Sequence, residues 1–487
     1  MGGGLAGLYA VLHLPAEWRV LVVDKGPEAR AGSSPLAQGG MAVAIGPGDS
    51  PELHAEDTIR VGSGACLPEA VQVLTEEAPR ELARLVELGC AFDRTADGSF
   101  DLNREGGQSV PRSVHAADAT GRELMRVARR HARTRAERLV GVAVDLLVPE
   151  GRCGGAVVAS ADGAFTVSAR TTLLATGGCG ALYEATTNTA ASTGDGVALA
   201  YLSGATVADA EFVQFHPTTL AAGPGQRVLL TEALRGVGAT VIDGAGERFL
   251  FGAHPDGELA PRDVVARAIA ARGEAFLDAR TLGAEEIERR FPNVASAVRE
   301  LGHDLAQEPV PITPAAHYYL GGVATDLDGR TDVPGLFAAG ESAATGVHGA
   351  NRMAGNSLTE AVVFGRRAAA AMAEGGDVRP SLGPTSIGHR SIGSRDDAGW
   401  RELRRAMTEG AGLVRAADSL DRAGRATREL ARSEDGQLQL AATAAGLICT
   451  GAVRRQESRG VHFRSDHPHT EPAWDGRHIE LRADPSV

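Results

Sequence analysis

GGGLAG, residues 2–7, decides the fold of this 487-residue chain. It spaces Gly2, Gly4 and Gly7 as GxGxxG, and the apolar run LYAVLHL follows at residues 8–14. Glycines in this spacing allow a tight turn and a close approach to a pyrophosphate. The start of the following helix supplies free N–H groups and the positive end of its dipole. The segment therefore predicts a Rossmann-like dinucleotide site.

A strand with an acidic end supports this prediction. RVLVVDKG at residues 19–26 is predicted to form a strand ending in Asp24, which lies 20 residues beyond Gly4, where a carboxylate can bind ribose hydroxyls. A further central strand is expected before Gly2, but Met1 stands where its last residue belongs. We favour a start codon assigned too late over a genuine truncation, because the free energy lost with a central strand would exceed the marginal stability of a folded protein.

Strands that end in glycine recur along the chain. GSSPLAQGG (32–40) suits a close backbone approach to a ligand, and TTLLATGG (171–178) and GLFAAGE (335–341) have the pattern of buried strands entering turns. Their wide separation predicts a discontinuous nucleotide-binding domain whose segments return after an insertion.

Charged and imidazole side chains in and around that insertion form a candidate anion clamp. An arginine can grip a carboxylate through two parallel N–H bonds, and a histidine adds a donor, so a dicarboxylate needs two such grips. Alternatives stay open: His216 as a core histidine, Arg262 paired with Asp263, and Glu232 paired with Arg235 or Arg262. The candidates are His216 in FVQFHPT, Glu232 in TEALRG, Arg262 in ELAPRD, His317 in PAAHYYLGG and Arg352 in GANRMAGNSL.

Composition excludes several classes of protein. The net charge of −13 argues against nucleic acid as a partner. No run approaches 18 apolar residues and no signal peptide is visible, so we expect no membrane span and a cytoplasmic location. The five cysteines form no CxxC pair, which favours a reducing compartment and no metal site.

Taken in order, the motifs resemble those of the flavoprotein subunits of succinate dehydrogenase and fumarate reductase. The similarity is strongest to the members of that family that oxidise L-aspartate, and it spans nearly the whole chain. The motifs that carry it are GGGLAG, AQGGMA, DSPELHAEDT, REGGQS, HAADATG, ATGG, TGDG, QFHPT, TEALRG, APRD, HYYLGGV, AAGE, GANRMAGNSL and QESRGVHFRSDHP.

The resemblance implies FAD as cofactor and assigns residues to two sites. The substrate set would be Glu105, His216, Glu232, Arg262, His317 and Arg352. The cofactor set would be Gly2, Gly3, Gly4, Leu5, Ala6, Gly7, Asp24, Lys25, Ser33, Ser34, Ala37, Gln38, Gly39, Gly40, Asp195, Glu341, Ser357 and Leu358.

Two positions distinguish members of the family. Respiratory members attach the flavin covalently to a histidine four residues before the alanine of AQGG, and here that position is Ser33. We therefore expect noncovalent FAD. Members that oxidise aspartate carry a glutamate, here Glu105, that faces the substrate ammonium; as an alternative, Glu105 is a solvated loop acid.

The expected architecture is α/β with an α+β capping domain. Residues 1–209 and 319–375 would form the FAD-binding Rossmann-like domain, and residues 210–318 the inserted capping domain. Residues 376–397, rich in Gly, Pro and Ser, would be a linker, and residues 398–487 a C-terminal helical bundle.

The implied reaction is oxidation of L-aspartate to iminoaspartate, with O2 or fumarate as electron acceptor. Arg262, tuned by Glu232, would either accept the proton or only stabilise charge, since a free arginine is a poor base. Iminoaspartate would pass to quinolinate synthase for NAD biosynthesis. The alternatives are a respiratory-type flavoprotein subunit and a truncated, inactive product.

Overall fold

A computed structural model of the protein describes residues 1–27, 32–221, 225–375 and 397–483, and it confirms the predicted α/β fold class. Its helices are α1 Leu5–His13, α2 Pro51–Val61, α3 Pro68–Glu87, α4 Thr120–Ala132, α5 Asp195–Leu202, α6 Glu232–Gly236, α7 Arg262–Arg272, α8 Ala284–Arg290, α9 Pro292–Glu300, α10 Asn356–Glu374, α11 Ala398–Gly410, α12 Ala417–Leu430 and α13 Gly436–Arg454. Its strands are β1 Leu21–Asp24, β2 Met41–Ala42, β3 Leu102–Asn103, β4 Ser113–Val114, β5 Glu137–Val140, β6 Val142–Leu147, β7 Gly155–Ser160, β8 Gly163–Ser168, β9 Thr172–Leu174, β10 Ala185–Thr186, β11 Val207–Ala208, β12 Val213–Leu220, β13 Gly225–Gln226, β14 Thr240–Asp243, β15 Ala275–Asp278, β16 Val310–Tyr319, β17 Gly322–Ala324, β18 Leu336–Ala338, β19 Ala343–Ala344 and β20 Glu480–Leu481.

The glycine turn of GGGLAG forms as predicted. Gly2 has a φ of +98°, which favours glycine, and α1 begins directly after Gly4. A Cβ on Gly7 would lie 2.3 Å from the carbonyl oxygen of Gly2. Gly7 is therefore needed for close packing of α1 on the turn, while α1 buries its apolar side chains against α4 and α10.

Two pairs of parallel strands meet at the beginning of the chain: β1 pairs with β5, and β9 pairs with β18. The N–H of Gly2 donates to the carbonyl of Val23 at 2.8 Å, and the carbonyl of Met1 accepts from the N–H of Ala175 at 2.8 Å. The amino group of Met1 donates to the carbonyl of Leu173 at 2.6 Å, and burial lowers the pKa of that amino group to about 6. Met1 and Gly2 thus link the two pairs.

A cavity of about 690 Å³ lies beside Met1, and both β1 and β9 line it. Its apolar side chains include those of Val11, Leu14, Val22, Leu173 and Met372.

The inserted region has a buried core and contributes most of the strands of one six-stranded sheet. The sheet runs in the order β13-β10-β16-β15-β14, with β12 pairing antiparallel to β16. The register between β12 and β16 shifts from His216 to Thr219, where Pro217 cannot donate to the ladder. A core of apolar residues between Leu220 and Ile312 packs beneath this sheet. The capping domain over residues 210–318 stays a prediction, and the sheet extends beyond those bounds, since β10 lies at Ala185–Thr186 and β16 ends at Tyr319.

The C-terminal helices α11, α12 and α13 pack on one another and on α5. Their buried side chains, such as Trp400 and Leu438, share one apolar cluster with Leu174 and Val197 of the nucleotide-binding part. Strand β20 pairs antiparallel with β11, so this helical part packs onto the rest of the protein. Apart from Asp397, the predicted linker at 376–397 lies outside the described residues.

A buried arginine anchors the C-terminal part next to β12. Arg455 is fully buried, and its Nε donates to Oε1 of Glu211 at 2.6 Å. Its guanidinium carbon lies 4.8 Å from the ring centroid of Phe212 and 4.8 Å from that of Trp474. Because Glu211 and Phe212 directly precede β12, this ion pair connects the C-terminal part to a strand of the capping sheet.

Within the described residues, α13 is the one helix long and apolar enough to cross a membrane. Most of it is buried inside the protein, as in the core helix of a soluble protein, so its composition is weak evidence for a span.

Candidate functional site

A cavity of about 500 Å³ brings together the two predicted sets of residues. Gly7 is the one predicted residue that does not line it, since Gly7 packs α1 instead. The predicted residues that line the cavity are Gly2, Gly3, Gly4, Leu5, Ala6, Asp24, Lys25, Ser33, Ser34, Ala37, Gln38, Gly39, Gly40, Glu105, Asp195, His216, Glu232, Arg262, His317, Glu341, Arg352, Ser357 and Leu358.

The acid at the end of β1 holds the glycine turn. One carboxylate oxygen of Asp24 accepts from the N–H of Gly3 at 2.8 Å, and the other accepts from the N–H of Gly26 at 2.9 Å. Lys25, the next residue, lies with its Nζ 2.5 Å from the carboxylate of Asp195 at the start of α5. These bonds connect the turn to the far wall of the cavity.

The residues of this end fit a dinucleotide cofactor. The turn at 2–4 and the Gly39–Gly40 pair present backbone to the cavity, and a Cβ on Gly40 would lie 2.7 Å from the carbonyl oxygen of Val114. The cavity is also lined by Gln38 and Thr176, whose Oε1 and Oγ1 atoms are buried without a hydrogen-bond partner. A bound ligand with polar groups would satisfy both atoms.

The predicted clamp residues converge at the other end of the cavity. His216 on β12 and His317 on β16 lie on neighbouring strands, with ring centroids 5.1 Å apart. Arg262 begins α7, and Arg352 stands just before α10. The fold thus collects residues that are up to 136 positions apart in the chain.

Electrostatics at this end favour a dianion. Burial, followed by the nearby arginines, holds the pKa of His216 and of His317 well below the ordinary value, so both rings are neutral near pH 7. Burial and the charge of Arg262 lower the pKa of Arg352 to about 10, so Arg352 keeps its charge. A buried guanidinium that keeps its charge, beside a second arginine, favours a negatively charged ligand at this wall.

Glu232 pairs with Arg262, which answers one open alternative. Nε of Arg262 donates to Oε2 of Glu232 at 2.5 Å, whereas the nearest nitrogen of Arg235 is 3.8 Å away. Burial alone would raise the pKa of Glu232, but Arg262 and Arg235 hold it below its ordinary value. Arg262 forms no helix-start pair with Asp263, which instead accepts from Arg267 at 2.7 Å.

Glu105 is a buried acid of the cavity and not a solvated loop acid; it is 4% exposed. One of its carboxylate oxygens accepts from the N–H of Gly40 at 3.1 Å. The next N–H, that of Gly106, donates to Glu232 at 3.1 Å, so the two acids are neighbours. Burial, and then the charge of Glu232, raises the pKa of Glu105.

Sequence reasoning missed three residues that hold the clamp. Gln214 accepts from Arg262 at 3.2 Å and donates to the carbonyl of Arg352 at 3.0 Å. Asn188 donates to the carbonyl of His317 at 2.9 Å, and the ring of Tyr318 lies against Arg352. Strand periodicity could have indicated Gln214, because residues two apart share a face and His216 follows it by two.

Comparison with known proteins agrees with this geometry. Residues 1–358 match the family model described as FAD binding domain, and residues 431–484 match the one described as fumarate reductase flavoprotein C-term. The L-aspartate oxidase of Streptomyces coelicolor is 42% identical, over 100% of this chain and 91% of that protein. The L-aspartate oxidase of Caulobacter vibrioides is 44% identical, over 99% of this chain and 97% of that protein.

Solved structures of the same type superpose on the whole chain. A chain of Escherichia coli quinol fumarate reductase has a TM-score of 0.89 at 28% identity, covering 100% of this chain and 94% of that one. A chain of Mycobacterium smegmatis Sdh1 has a TM-score of 0.84 at 30% identity, covering 100% of this chain and 92% of that one. Together with the clamp and the glycine turn at residues 2–4, these similarities show that the chain belongs to the L-aspartate oxidase family. That family lies within the flavoproteins related to succinate dehydrogenase and fumarate reductase.

Proposed function

We propose that this protein is a flavin-dependent enzyme that oxidises L-aspartate to iminoaspartate. The observation that carries the proposal is Glu105, a buried acid beside a clamp of arginines and neutral histidines. L-Aspartate has two carboxylates and one ammonium, and this wall offers partners for all three. Succinate has no ammonium, so its binding would leave Glu105 buried without a cation.

Noncovalent FAD is the proposed cofactor, held by the predicted set of cavity residues. When bound, FAD supplies the acceptor for the two electrons removed from the substrate. Ser33 occupies the position of the attachment histidine; its Oγ accepts from the N–H of Thr189 at 3.2 Å and lies 3.1 Å from Oγ of Ser192. A serine hydroxyl bound in this way holds the loop and offers no nucleophilic ring nitrogen.

The clamp residues have separate proposed tasks. Arg352, His317 and His216 hold the two carboxylates, and Glu105 orients the ammonium. Arg262, fixed by Glu232 and Gln214, stabilises the charge that develops as the proton leaves. Its pairing with an ionised carboxylate favours this electrostatic role over proton abstraction by Arg262 itself.

A comparison of two substrates tests the proposal. With the FAD-loaded protein in air, we expect hydrogen peroxide release with L-aspartate and at most a trace with succinate. Fumarate should replace O2 as electron acceptor when oxygen is removed, because it presents the same two carboxylates. Faster turnover of succinate than of L-aspartate would favour a respiratory-type subunit and would contradict the proposal.

Release of the flavin gives a second prediction. Because Ser33 cannot form the covalent bond, acid precipitation of the holoprotein should leave essentially all the FAD in the supernatant. Absorbance of the supernatant and of the redissolved pellet near 450 nm measures the division. Yellow colour that remains with the pellet would show a covalent attachment elsewhere in the chain.

The product and its location complete the proposal. Iminoaspartate is unstable in water, so we propose a hand-off to quinolinate synthase, which would place the enzyme at the first step of NAD biosynthesis. The five cysteines are all free in the structure, four of them buried, which suits the reducing cytoplasm.

A further inference from the structure

Tyr318 lies directly against Arg352 of the clamp. The guanidinium carbon of Arg352 is 4.6 Å from the centroid of the Tyr318 ring, within the range of a cation–π contact. Among the described residues, its side-chain hydrogen bond runs from Nη1 to Oγ of Ser357 at 3.0 Å, and Nε is buried without a hydrogen-bond partner. The aromatic ring therefore supports one face of the guanidinium.

A buried carboxylate in turn holds Tyr318. Its hydroxyl donates to Oε2 of Glu360 at 2.7 Å, and Glu360 is 1% exposed. Oε1 of Glu360 accepts from Thr345 at 2.6 Å, and Nε2 of His348 lies 3.0 Å from Oε2. Burial would raise the pKa of Glu360, but His348 and these donors hold it below its ordinary value. An ionised acceptor makes the bond from Tyr318 a strong one.

The elements that carry these groups leave the ring little freedom. Tyr318 follows His317 on β16, Glu360 lies in α10, and Thr345 and His348 precede Arg352 in one segment. The rings of Tyr318 and His348 are perpendicular at 88°, with centroids 5.3 Å apart. Tyr318 thus contacts the guanidinium with its ring, while its hydroxyl is held by Glu360 and lies 3.4 Å from Nε2 of His348.

We propose that Tyr318, held by Glu360, is a positioning residue that orients the guanidinium of Arg352 toward the substrate carboxylate and thereby sets the affinity for dicarboxylates. This rests on the proposed function, since Arg352 is taken as the carboxylate grip. In the empty site Arg352 has the like charge of Arg262 nearby, and the face of an aromatic ring offsets part of that repulsion.

Steady-state kinetics and a binding titration test the proposal together. For Tyr318→Leu we expect the KM for L-aspartate to rise roughly 30-fold, the equivalent of a desolvated cation–π contact, with kcat changed less than about threefold. The Kd of malonate, a dicarboxylate that cannot be oxidised, should rise by the same factor in calorimetry of the FAD-loaded protein. Tyr318→Phe keeps the ring but loses the bond to Glu360, so both constants should rise only about three- to tenfold.

Tyr9→Phe is the matched control, because Tyr9 is also buried and donates to a buried acid, Glu81, at 2.7 Å, but does not line the cavity. It should lower the melting temperature about as much as Tyr318→Phe and leave both constants unchanged. If Tyr318→Leu does not fold, Glu360→Gln decides, with an expected rise of about three- to tenfold in both constants.

Unchanged malonate affinity in Tyr318→Leu, or in Glu360→Gln where the leucine variant does not fold, would overturn the proposal and leave the network a purely structural one. If the wild-type protein binds malonate but does not oxidise L-aspartate, the proposed function fails, while the malonate constants still decide the role of Tyr318.

Discussion

The Arg352→Leu variant is expected to lose both L-aspartate oxidation and fumarate reduction. Arg352 is 4% exposed and keeps its charge near pH 7, even though burial lowers its pKa to about 10. Removing one partner of a buried charge pair costs about 2–5 kcal/mol, which corresponds to a loss of roughly 30- to several thousandfold in kcat/KM. In the proposed site both substrates present a carboxylate to this guanidinium, so both reactions should fall together.

Two controls make that experiment decisive. Arg289→Leu removes an exposed arginine of the inserted region that pairs with Glu286, and it should leave both rates unchanged. FAD content must be matched between preparations, because Arg352 also lines the cofactor cavity. Retention of more than about a tenth of either activity would show that Arg352 does not grip the substrate.

Glu105→Gln should separate the two reactions. The substitution keeps the size of the side chain and removes only its charge. L-Aspartate oxidation should fall about a hundredfold, since a buried ammonium would lose its ion partner, whereas fumarate reduction by the reduced enzyme should stay within about threefold. Rates of both reactions on the same FAD-loaded preparation give the comparison.

The pH dependence of kcat/KM in the wild-type protein tests the same role of Glu105. Burial and the charge of Glu232 raise the pKa of Glu105, so its protonation begins at a higher pH than for an ordinary glutamate. The protonated form cannot pair with the ammonium, so kcat/KM for L-aspartate should fall as the pH is lowered through that raised value, and fumarate reduction should not follow it. Glu81→Gln, which changes a buried acid outside the cavity, is the matched control for Glu105→Gln and should leave both reactions unchanged. Equal losses in both reactions for Glu105→Gln would make Glu105 a structural acid.

Local motifs predicted the parts of the site whose backbone conformation requires a particular residue type. A turn such as that at Gly2 needs glycine, so its residues can be recognised from spacing alone. Arg262 and Glu232 could also be recognised from the sequence, because each begins a helix, Arg262 after Pro261 and Glu232 after Thr231. Their pairing with each other, in preference to Asp263 or Arg235, required the structure.

Contacts between distant segments could not be derived in this way. The Tyr318–Glu360 bond joins a strand to a helix, and in the sequence Tyr318 is only the residue after His317. The C-terminal helices were predicted as a small helical bundle from their periodicity. Periodicity shows which face of a helix is apolar and not what covers it, and here part of that surface packs on the nucleotide-binding core.

The anchoring of β12 by the C-terminal part has a consequence for biosynthesis. Glu211 and Phe212, which precede the strand bearing His216, contact Arg455, and Trp474 packs on Arg455. Strand β11 pairs with β20, which lies about 270 residues later. Such distant pairings slow folding, because the entropy cost of closing a long loop must be met before any contact between its ends forms. Local structure can therefore form while the chain is translated. The segment that leads into β12, and so to His216, gains these contacts only after residue 481 has left the ribosome.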